Sequence, residues 1–108
     1  MAHFHQLKAL LSERESSGRL YLEFLRVPAM SAGIYYLPKG GTDPQKPHLE
    51  DELYYVVQGR ARMRVGGEDS EVSAGSLIFV EAKAEHKFHQ IEEDLVVVVF
   101  FAPPEQNY

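Results

Sequence analysis

The sequence predicts an all-β single domain, an antiparallel sandwich or barrel, led by one short helix. Three observations carry that expectation. Beyond Gly18, apolar residues recur with a period near two, the spacing of strands with one buried face. Turn signals built from Gly, Pro, Asp and Ser interrupt the chain roughly every 8–12 residues. No strand-like run alternates with a helical one, as a parallel sheet with crossover helices requires.

The elements follow in order. Phe4, Leu7, Leu10 and Leu11 recur at three- and four-residue spacing and predict an amphipathic helix over 4–16. Gly18 stands where a glycine commonly ends a helix. Residues 19–27 and 30–37 read as strands, punctuated by Pro28 and Pro38. Lys39-Gly40-Gly41-Thr42-Asp43-Pro44-Gln45-Lys46-Pro47 packs breakers into nine positions and reads as a loop. A strand over 48–58 stops at Gly59. In the next strand, 60–65, Ala61, Met63 and Val65 share one face, and Arg60, Arg62 and Arg64 the other. Gly66-Gly67 is a two-residue hairpin signal. Strands over 68–72, 76–80, 86–91 and 95–101 complete the set, with a turn at Glu92-Glu93-Asp94. The last strand is apolar on both faces, so one faces the interior and the other needs cover from the helix or a second subunit. The domain assignment is a helical segment over 1–18, a barrel over 19–102 and a loosely attached tail over 103–108.

A chain of 108 residues matches one domain and buries enough surface for one core. With no cysteine, disulfides, thiolate metal sites and cysteine nucleophiles are excluded. The net charge of −5 opposes nucleic acid or an anionic membrane as the main partner. No apolar run approaches the ~18 residues of a spanning helix, and the first residues lack the pattern of a secretory signal. The expected setting is the cytoplasm.

Histidines and carboxylates carry the chemistry. On a strand starting at 48, alternation places Lys46, His48, Glu50, Glu52, Tyr54 and Val56 on one face. Ionisable groups sharing a face with a core valine need partners or a metal. His86 opens a later strand with Phe88 on its own face. Two imidazoles and one carboxylate converging in a barrel mouth would form a facial set suited to non-haem Fe(II) or a related divalent ion.

These residues lie in a pattern that resembles the cupin superfamily. Its first motif runs Gly, five residues, His-x-His, three or four residues, Glu, six residues, Gly. Gly40, His48, Glu52 and Gly59 fall on its first Gly, second His, Glu and final Gly. The second motif, Pro-x-Gly with a later His, is matched by Ala74-Gly75 and His86. Lys46 replaces the first His, Ser73 the motif's Pro, and Glu81 the usual turn proline. The resemblance implies a jelly-roll barrel (a double-stranded β-helix). It also implies a metal set of His48, Glu52 and His86, holding Fe, Mn, Ni or Zn, with Glu50 as a further oxygen candidate. An ammonium offers no lone pair, so Lys46 is not a ligand. Without a metal, Glu52 would be a rim carboxylate paired with Lys46. Tyr54 and Lys46 are the catalytic candidates, and Tyr54, Val56, Met63 and Phe88 the expected pocket lining. His89, on the opposite face from His86, and His3-x-His5, at a terminus, are set apart from the metal site.

Two functions follow from the resemblance. One is a metal-dependent enzyme acting on a small organic molecule, of the oxygenase, isomerase or lyase type. The other is a non-catalytic binder of a sugar or other small molecule, metal-free or not. A purely structural module is the reading if side chains fill the barrel. Small cupins are commonly homodimers, so a second copy is the expected partner.

Overall fold

Helix formation begins at Leu7, later than the apolar spacing suggests. The computed structural model describes residues 2–106, with α1 at Leu7–Ser17 and Phe4 exposed ahead of it. Gln6 is extended and offers no side-chain cap, so nothing extends the helix backwards. Gly18 ends it at φ 70°, in the left-handed region that favours glycine, and its N–H donates to the carbonyl of Glu15.

The strands are β1 (Tyr21–Val27), β2 (Met30–Leu37), β3 (Asp51–Val65), β4 (Glu68–Ser73), β5 (Leu77–Val80) and β6 (His86–Ala102). All pairings are antiparallel, in the order β1-β2-β6-β3-β4, with β5 on β3. Three corrections to the sequence reading concern these strands. Gly59 does not stop a strand; β3 passes through it, with register shifts from Val56 to Arg62. The expected turn at Glu92-Glu93-Asp94 lies inside a continuous β6, where Gln90 takes a positive φ. And β3 starts at Asp51, so Lys46, His48 and Glu50 belong to the preceding loop. Pro44 and Pro47 explain the last point, since neither has an N–H to donate to a ladder.

The β3–β6 ladder closes the barrel. Glu52 pairs with Phe101 at one end of it, and Val65 with His86 at the other, thirteen residues further along β3. A straight ladder would separate these ends by roughly 40 Å. Yet Glu52 Oε1 lies 3.3 Å from His86 Nε2, so the sheet doubles back at its bulged middle. Gly59 occupies that bend at φ 100°, and a β-carbon there would overlap the carbonyl of Asp94. The bulges and the one residue without a side chain are therefore what lets the two halves face each other.

Between the halves, Leu37, Tyr54, Val56, Met63, Phe88, Leu95 and Val97 form the main core. Tyr54, Val56, Met63 and Phe88, expected to line an open pocket, are buried here instead and fill the barrel. Outside the sheet, Leu10 packs with Ile34 and Val98, and Leu11, Val96 and Phe100 extend the contact. The helix is thus the cover for part of the outer face of β6.

The segment read as a loosely attached tail is tied down as far as Glu105; residues 107 and 108 lie outside the described residues. The Glu105 N–H donates to Ser31 Oγ at 2.9 Å, and Arg26 donates to its carbonyl at 2.5 Å.

Candidate metal centre

His48, Glu52 and His86 come from three segments, and backbone bonds fix where each arrives. Glu52 lies on the inward face at the start of β3, 1% exposed. His86 opens β6, 5% exposed, after a turn in which Lys83 takes a positive φ. That turn is pinned beside the other two donors: Lys83 N–H donates to the backbone carbonyl of His48, and Ala82 N–H to the side-chain carboxylate of Asp51, next to Glu52. His48 is 9% exposed and reaches the site from the loop.

The loop itself is held by a residue the sequence reading passed over. Asp43 is buried and accepts four hydrogen bonds, from Tyr35 Oη at 2.7 Å, Gln45 N at 3.1 Å, Gln45 Nε2 at 2.8 Å and Phe88 N at 3.0 Å. One carboxylate thus joins the loop to β2 and β6. Gln45 in turn accepts from the Tyr54 hydroxyl at 2.8 Å. Burial first, and the Glu52 charge second, push the Tyr54 phenol well above its usual range. It therefore acts as a neutral donor sealed beneath Gln45, not as an exposed catalytic group. Burial and the charge of Asp43 likewise keep the Tyr35 phenol protonated.

Glu52 Oε1 stands 2.7 Å from His48 Nδ1 and 3.3 Å from His86 Nε2. All three donor groups lie within 4.8 Å of one another. His86 Nδ1 is 2.9 Å from the Ala84 carbonyl, which can only accept, so Nδ1 carries the ring proton. That bond leaves Nε2 as the ring nitrogen that faces the Glu52 carboxylate. His86 Nε2 has no hydrogen-bond partner among the described residues, and the Glu52 carboxylate that faces it has the His48 ring as its ion-pair partner. A buried ring nitrogen without a partner is costly unless a cation takes that place. Two donors in adjacent positions, each about 2.1 Å from one ion, stand about 3.0–3.4 Å apart. The 3.3 Å between Glu52 and His86 falls in that range, and the 2.7 Å between Glu52 and His48, a direct ion-pair distance, would have to widen by a few tenths of an ångström; with that small shift the residues present fit a divalent ion.

Behind His48 stands Glu105, which no sequence signal marked. Its carboxylate lies 3.0 Å from His48 Nε2 and is only partly exposed. Burial lowers the pKa of His48, but the carboxylates of Glu105 and Glu52 outweigh it and hold the value at about 10. Such a carboxylate behind a ligating imidazole orients the ring and raises its basicity. A cavity of about 120 Å³ lies here, bounded by Tyr21, Tyr35, Gln45, His48, Phe101 and Glu105. The buried Tyr21 hydroxyl has no hydrogen-bond partner among the described residues.

The remaining candidates fall outside this group. Glu50 is buried just before β3 but is not among the converging donors. Lys46 is exposed, so the pairing with Glu52 expected of a metal-free rim does not form. His89 bonds Asp69 at 2.8 Å on the outer face, and His5 packs edge-on against Phe24. No helix among the described residues is long and apolar enough to cross a membrane.

Comparison with known proteins agrees with this architecture. The uncharacterized protein SCO3923 of Streptomyces coelicolor is 51% identical over 100 residues, covering 93% of this chain and 95% of the relative. TT1209 from Thermus thermophilus superposes with a TM-score of 0.75 at 22% identity, over 95% of this chain and 99% of that one. KdgF from Halomonas sp. gives 0.70 at 24% identity, over 77% and 78%. The DMSP lyase DddQ from Ruegeria pomeroyi gives 0.66 at 19%, over 70% of this chain and 39% of the lyase. At these identities the solved structures establish the fold alone. The cupin domain family matches residues 33–102, which cover β3 to β6 and most of β2, and the chain belongs to that family.

Proposed function

We propose that this chain holds one divalent ion through His48, Glu52 and His86 and uses it on a small organic molecule. The observation that carries the reading is the buried Nε2 of His86, without a hydrogen-bond partner among the described residues, standing 3.3 Å from the Glu52 carboxylate with the His48 ring on its other side. When bound, the ion would polarise a substrate oxygen or bind O₂, and Fe, Mn, Ni and Zn all suit two imidazoles and a carboxylate. The chain's own groups do the rest. Ala84 fixes the His86 tautomer, Glu105 holds the His48 ring, and Tyr54 and Gln45 keep water from the inner side of Glu52. Three protein ligands leave coordination positions for a substrate, and the 120 Å³ cavity beside His48 is where a few atoms of it fit.

A second reading, a binder without turnover, draws support from the core. Side chains fill the barrel, and the donors are nearly inaccessible. We also propose a homodimer, on the exposed apolar stripe of β3 and β5, and a cytoplasmic setting.

Metal analysis of untagged protein is expected to find close to one divalent ion per chain. His48→Ala and His86→Ala should each reduce it to background while leaving the fold intact by circular dichroism. A wild-type protein that takes up none of Fe, Mn, Ni or Zn would overturn the metal reading. Tight ligand binding that raises Tm without any turnover would favour the binder.

A further inference from the structure

We propose that the cleft at the barrel mouth takes a small organic acid, held through its carboxylate by Lys46, Arg64 and Lys87. The proposal names the substrate class for the site read above and rests on that reading for its chemistry. The cleft has a volume of about 320 Å³, at the lower end for small-molecule pockets. Lys46 comes from the loop, Arg64 from the end of β3 and Lys87 from the start of β6.

Three cations share this cleft with one acid, Glu85, on a chain whose net charge is −5. Arg64 and Lys87 are also direct cross-strand partners. Like charges opposite each other destabilise a sheet. Asp69 relieves Arg64 from the far side at 3.2 Å. Neither Lys46 nor Lys87 has an ion-pair partner among the described residues. An anion between the strands and the loop would relieve both lysines at once. The guanidinium of Arg64 supplies a planar fork that suits a carboxylate.

The cleft also lies beside the metal donors. His86 contributes to its wall, with its side chain turned inward and 0% exposed, and Gln45 separates the cleft from the smaller cavity beside His48. An acid held at the rim by its carboxylate would therefore direct the rest of the molecule toward Gln45 and the metal donors. Lys46 then has a task where the family pattern carries a histidine: it exchanges a metal ligand for a charge that recruits substrate.

The test is a titration of the protein followed by amide NMR, with succinate, inorganic phosphate and glucose as separate probes. Succinate is expected to shift the amides of Lys46, Gly66, Glu85 and Lys87 saturably, and added salt should weaken it. Lys46→Ala and Lys87→Ala, both at exposed positions, should each raise its Kd at least fivefold, and together more than tenfold. No saturable shift, an equal response to glucose, or an unchanged Kd in the double variant would overturn the proposal. Saturation by phosphate alone would overturn the organic acid in favour of a phosphate ligand. Each titration is run on metal-loaded and on chelator-stripped protein. Metal uptake without succinate binding defeats this proposal alone, and succinate binding by a protein that takes up no metal defeats only the metal reading.

Discussion

Asp43 shows how much one carboxylate can organise. It accepts from Tyr35, from two groups of Gln45 and from the Phe88 backbone, so the loop that delivers His48 is pinned before any ion arrives. Asp43→Ala would leave those donors buried without an acceptor. The expected loss is about 3 kcal/mol in urea denaturation, together with weaker metal binding because His48 loses its platform. A variant as stable as wild type would show that the loop is held elsewhere. Asp43 was not legible in the sequence, because a loop aspartate beside Pro44 reads as an ordinary turn residue. His48, Glu52 and His86 were legible, though only through a motif. The strand alternation invoked for His48 does not apply, since that residue precedes β3. Glu105 was hidden for a simpler reason: no local pattern marks a residue brought to the site from 57 positions along the chain.

At the scale of elements, periodicity located the strands well and their ends poorly. Gly59 and Glu92-Glu93-Asp94 read as stops because glycine and acidic runs ordinarily interrupt ladders. Here the two lie close together across the β3–β6 ladder, where Arg60 pairs with Glu93 and Gln58 with Val96, and they make a bend. Arg60 also bridges to Glu92 at 2.9 Å, an exposed pair worth little by itself. The bend depends on Gly59. Gly59→Ala combines a strained positive φ with an overlap on Asp94 and should cost about 2 kcal/mol or more, lowering Tm by roughly 10 °C. The same substitution at Gly67, where a β-carbon meets nothing, is the control and should change Tm little. Equal effects at both positions would remove the bend from the explanation.

Across the whole molecule, the outer surface divides into a part the helix covers and a part it does not. Leu53 pairs with Phe79 and Tyr55 with Leu77 across β3 and β5, and all four are exposed, Leu77 at 66% and Phe79 at 61%. An apolar patch of this kind on a small domain usually marks an interface. Light scattering is expected to give the mass of two chains for wild type, and of one for Leu77→Glu with Phe79→Glu. A monomeric wild type would leave the stripe without the proposed partner. The closing of the sheet has a last consequence. Because Glu52 and His86 belong to opposite ends of one folded ribbon, an ion gripped by both would act as a clasp as well as a reagent. Stripping it would free the rim to part while the hinge at Gly59 stayed shut, and resistance to heat and proteases would follow occupancy even where no turnover is being measured.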